Sequence, residues 1–201
     1  NTDGLGTYTQ AESALRGASA DILQVWVRDA LIGAAASTTF THAPGTTNGG
    51  GLAVLKVTGM TRVGSGAKLQ SAKQENQAAG GTPTPVFGSA ALTGNPVIGI
   101  VYNGTSPATM TARSSPAYSE LLDDGYSVPT RGVHIMSIDS GETGTSIAWG
   151  GTSATAFGDI VIELDSSASA AEPAAGALAL TGLAPSALAG TIGQPSAGAA
   201  I

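Results

Sequence analysis

Residues 157–165 (FGDIVIELD) constrain the fold of this chain more than any other stretch. Ile160, Ile162 and Leu164 fall on one side of a two-residue alternation, with Asp159, Glu163 and Asp165 on the other. That period marks a β-strand with one apolar face. Two apolar runs precede it, 133–138 (VHIMSI) and 146–149 (SIAW), separated by 139–144 (DSGETG), whose glycines and small polar residues suit a hairpin connection. Residues 150–155 (GGTSAT) then turn into the last run, so 132–165 read as an antiparallel meander. The pattern predicts burial of Ile98, Ile100, Ile135, Ile138, Ile160, Ile162 and Leu164, with the carboxylates on a solvated strand face.

The rest of the chain extends this β pattern. Residues 52–58 (LAVLKVT) and 96–102 (PVIGIVY) read as strands, the second with Gly99 marking a bulge or a close backbone approach. Shorter strands are expected at 38–41, 105–113 and 176–181. Residues 21–33 (DILQVWVRDALIG) fit two patterns. Asp21 as N-cap, Gln24 three residues on and Gly33 as a stop favour a helix; the alternation of Leu23, Val25 and Val27 favours a strand, and the balance tips to helix. Residues 64–85 are a long polar connection with room for a short helix over 67–78, and 118–124 fit one helical turn. The expected fold class is mainly β: an antiparallel β-sandwich or jelly-roll-like domain over 38–165. An N-terminal arm with one short helix (1–37) and an extended C-terminal arm (166–201) flank it.

Charged residues make up 11% of the chain, against about 25% in ordinary soluble domains. A subunit that hides much of its surface in an assembly tolerates such a bland exterior; a monomer is prone to associate. The net charge of −6 arises after Arg131, where six acids and no base occur. No basic patch is present to neutralise phosphates, so nucleic-acid binding is disfavoured. No signal peptide and no membrane span is expected, because acids enter the first thirty residues and Gly and Pro interrupt the uncharged tail. Cysteine is absent, which excludes disulfides and thiolate metal sites.

Catalytic signatures are missing as well. There is no Gly-x-Ser-x-Gly elbow, no His-Glu-x-x-His and no Walker loop, and the glycine clusters at 49–51 and 150–151 precede no helix. Of two histidines, His42 falls in a loop and His134 inside a strand pattern, where a structural role is expected. Asp123, Asp124, Asp159 and Glu163 are the carboxylates that could pair for glycoside hydrolysis, though no aromatic sugar platform accompanies them. Asp139, Glu142 and the Asp123-Asp124 pair are the alternative metal ligands, without EF-hand spacing. No metal or organic cofactor is expected. Asn103-Gly104-Thr105 matches a glycosylation acceptor.

Residues 173–185 (PAAGALALTGLAP) resemble the Gly-x-Leu-x-Leu-Thr-Gly-x-Ala-Pro segment found in C-terminal regions of structural proteins of tailed bacteriophages. The resemblance implies a non-enzymatic virion component: a capsid decoration (cement) protein on the capsid surface, or else a tail or fibre component. Its partners would be itself, as a homotrimer, and the major capsid protein. A carbohydrate-binding or hydrolytic β-sandwich is the alternative from a different class. Residues 1–10 and 166–201 hold few large apolar side chains. Neither segment offsets an ordering cost of roughly 1–2 kcal/mol per residue by its own contacts, so both are expected to serve assembly. Leu178, Leu180, Leu183 and Tyr8 are the expected assembly contacts.

Overall fold

The computed structural model describes residues 8–16, 21–28, 52–57, 60, 64–127 and 130–166. The chain is mainly β, with two antiparallel sheets as in a β-sandwich. Strands β1 (Tyr8–Arg16) and β2 (Asp21–Arg28) form a two-stranded ribbon. Strands β3 (Lys68–Gln77), β4 (Val97–Asn103), β5 (Ser119–Ser127), β6 (Thr130–Ile138) and β7 (Phe157–Leu164) form a five-stranded sheet in the order β3-β7-β4-β6-β5.

Strand β7 is where the sequence places it, but its surroundings differ. It lies between β3 and β4, and all eight of its residues are buried. Ile160, Ile162 and Leu164 face the ribbon, packing with Ala14, Leu23, Val25 and Ile98. Phe157 and Val161 face the opposite way, into a core shared with Val97, Val101, Met136, Phe87, Ile147 and Trp149. The alternation along β7 therefore separates two packed layers. The acidic face is buried: Asp159 and Glu163 have no exposed surface and Asp165 is 8% exposed. Of the expected core residues, Ile100, Ile135, Ile160, Ile162 and Leu164 are buried, while Ile98 and Ile138 are half-buried.

The 132–165 unit is not a meander. Strands β6 and β7 both pair with β4, which separates them. The run at 146–149 makes sheet-like bonds with 83–87 instead: Phe87 N–H donates to Thr145 O (2.8 Å), and Ile147 and Trp149 N–H donate to Pro85 and Pro83 O (3.0 Å each). Residue 99 must be glycine for a packing reason, since a Cβ there would lie 2.9 Å from the Trp149 ring. The sequence pattern suggests a bulge or a backbone approach at Gly99; the strand is regular there and the approach is made by side chains, the Trp149 ring and Met136.

Three segments expected to be helical are strands. Residues 21–28 form β2, with Leu23 and Val25 packed inward and Ile22, Gln24 and Trp26 outward. Asp21 is not a helix cap but pairs with Arg16, its register partner, and with Arg131 Nη2 at 2.8 Å. Residues 68–77 form β3, held by its ladder to β7, and 119–127 form β5 at the far edge. Pairing with a neighbouring strand outweighs weak local helix propensity in all three. Two expected strands are irregular: 105–113 forms covering loop, and 52–57 is exposed without regular structure. The expected strands at 38–41 and 176–181, and His42, lie outside the described residues.

Candidate functional site

The buried polar residues mark the places where chemistry could occur, and most are saturated by internal partners. Glu142, 1% exposed, accepts from Thr143 N (3.0 Å) and Gly144 N (2.7 Å) through Oε1. Its Oε2 accepts from Tyr118 OH (3.0 Å) and pairs with Arg113 Nη1 at 3.2 Å. Burial, together with the Glu142 charge and hydrogen bond, pushes the Tyr118 phenol well above its ordinary range. This is a clamp joining the 139–144 turn to the loop before β5. With its oxygens so occupied, Glu142 has little capacity left to coordinate a metal. Among the described residues no group of three or more His, Asp or Glu side chains has metal-site geometry.

Glu163 is saturated in the same way. Leu92 N (2.9 Å) and Asn95 Nδ2 (2.7 Å) donate to Oε1, and Gln70 Nε2 donates to Oε2. Asp159 differs, since its Oδ1 accepts only from Gln74 N (3.0 Å) and its buried Oδ2 has no hydrogen-bond partner. Burial raises its carboxyl from 3.8 to about 7, against the smaller opposing effect of the Gln74 N–H. Asp159 and Glu163 sit four residues apart on one strand face, about 13 Å at the usual rise per residue. That exceeds the ~5–9.5 Å window of glycosidase carboxylate pairs. Asp123 and Asp124 lie on β5, where Asp123 Oδ1 accepts from Thr109 N at 3.2 Å.

His134 is completely buried, with both ring nitrogens taken. Trp149 Nε1 can only donate, so at 3.2 Å it makes His134 Nδ1 the acceptor and leaves the proton on Nε2, which faces Glu120 Oε2 at 3.2 Å. A general base needs an open lone pair, and none remains. Asn103 is buried too, its Nδ2 donating to Ala108 O and Ser153 Oγ, so the glycosylation motif is enclosed. One shallow groove of about 250 Å³ is lined by Leu69, Gln70, Ser89, Ala90 and Leu92, none of them charged.

Comparison with protein-family models, curated proteins and solved structures returns no match. The surface is therefore the remaining guide. Seven of the eleven exposed large apolar side chains among the described residues lie between positions 15 and 57: Leu15, Ile22, Trp26, Leu52, Val54, Leu55 and Val57. Fewer than a fifth of the described residues fall in that part of the chain. Sequence reasoning missed this surface because it assigned 52–58 to a strand of the domain and 21–33 to a helix. The available signal was apolar content on both faces of 52–57. Of the expected assembly contacts, Tyr8 opens β1 opposite Arg28, while Leu178, Leu180 and Leu183 lie outside the described residues.

Proposed function

We propose that this chain is a non-enzymatic structural subunit of a virion, a capsid decoration (cement) protein that binds the head shell and associates with copies of itself. The observation that carries this reading is the apolar surface on the ribbon and residues 52–57, set against buried carboxylates and a histidine largely occupied by internal bonds. Large apolar side chains left exposed in this number support a protein-protein contact. The low charge and the phage-like segment at 173–185 support the same reading.

The test is co-sedimentation of the purified chain with undecorated heads assembled from the major capsid protein. Saturable binding in a fixed ratio to capsid subunits, with a raised melting temperature of the shell, is the expected result. Binding to tails but not to heads would move the protein to a tail or fibre role. Removal of residues 167–201 is expected to leave the β-domain folded and to abolish particle binding. If binding persists unchanged, the assembly role lies elsewhere in the chain.

A further inference from the structure

We infer that residues 52–57 (LAVLKV) are an assembly strand that pairs with the open edge of β5 in a second copy of this chain. This pairing presupposes the self-associating subunit proposed above and names its interface. All six residues are exposed, Leu52 at 62% and Val54 at 75%, and they carry no regular structure. Leu52 and Val54 share one face with Lys56, while Ala53, Leu55 and Val57 share the other. A segment apolar on both faces is suited to a position inside a sheet.

Charge selects the acceptor. The described strands have four edges, at β1, β2, β3 and β5; on β1 the backbone at Ala11 O, Ser13 O and Leu15 N is already bonded by the Lys68, Lys73 and Glu75 side chains. Lys56 is the only charge in the segment, and β3 carries Lys68 and Lys73 against a single acid, Glu75, which Lys73 already holds at 3.1 Å, so its net charge repels Lys56. On β2, Asp21 is already shared by Arg16 and Arg131. Strand β5 carries Glu120, Asp123 and Asp124 with no base, and its bulge between Glu120 and Leu122 presents Leu121 at 48% exposure. A row of acids with a bulge resists pairing with a second β5 but accepts a cation-bearing apolar strand. Because donor and acceptor are different surfaces, each subunit gives one strand and receives one, closing as a reciprocal dimer or a ring.

The chain has no cysteine of its own, so engineered thiols report the pairing cleanly. Val54→Cys and Leu121→Cys chains, both altered at exposed positions, are mixed under mild oxidation. A mixed disulfide forming at least about tenfold faster than either like-with-like disulfide is expected, from the raised effective concentration. Lys56→Glu is expected to weaken self-association about tenfold or more by sedimentation, and adding Asp124→Lys to restore it. Overturning results are no excess of the mixed disulfide, a cross-link formed only when both thiols are on one chain, or self-association indifferent to Lys56→Glu. If the wild type associates and binds heads while any of these holds, this interface is wrong and the subunit proposal stands. A chain that stays monomeric at every concentration overturns the interface, while head binding, scored separately, decides the decoration role.

Discussion

The loop-covered face of the five-stranded sheet and the ribbon with residues 52–57 use similar residues to opposite ends. On the first, Phe157, Val161, Met136 and Trp149 are at most 3% exposed, and the polar side chains among them find internal partners. On the second, Ala14 is the one fully buried residue among the described side chains of the ribbon, while Trp26 is 43% and Ile22 50% exposed. The difference is a second layer. Loops 78–96, 104–118 and 139–156 supply Phe87, Met110, Ile147 and Trp149 to close the first face. Nothing among the described residues closes the outer face of the ribbon, so its apolar side chains remain available for a partner.

The largest effect should come from the closed face. Phe157→Ala is expected to lower unfolding free energy by about 3–5 kcal/mol in urea titrations, and Trp26→Ala at low protein concentration by less than about 1 kcal/mol. Equal losses would mean that the ribbon is as tightly packed as the sheet.

Asp159 gives the closed face a pH signature. Between 3.8 and about 7 the folded chain keeps a proton that the unfolded chain has released, so stability falls as pH rises through that interval and levels off above it. At roughly 1.4 kcal/mol per pH unit the ceiling is about 4 kcal/mol. Asp159→Asn should lack this slope and melt higher than the wild type above pH 7. Parallel melting curves for the two chains from pH 4 to 8 would remove the assignment.

Glu142→Gln should cost about 2 kcal/mol, less than a fully buried ion pair, because Arg113 is partly exposed and keeps bonds to Ser115 O and Ser146 O. Differential scanning calorimetry measures the loss. The smallest effect on folding belongs to the open region: Val54→Ser should change stability of the dilute chain by no more than about 0.5 kcal/mol. Its effect should appear instead as weaker association and a melting temperature that depends less on protein concentration. A large loss in dilute solution would show that 52–57 is buried within its own chain.

Local pattern determined which runs became the inner strands. Residues 97–103, 130–138 and 157–164 carry enough β-branched and apolar alternation that no helix could bury them. The structural role expected of His134 was legible for the same reason, since it sits between apolar neighbours in a strand. Only the tertiary structure decided what lies on each side of those strands. Alternation reports that two faces differ; it does not report whether the second face meets water or another layer. Hence Asp159 and Glu163 read as solvated and are buried. Likewise 68–77 and 119–127, polar and weakly patterned, became strands because β7 and β6 offered ladder partners, at separations of 80 to 96 and of 3 to 18 positions respectively. A strand is specified by its own residues, but its neighbours are chosen by contacts that no local window contains.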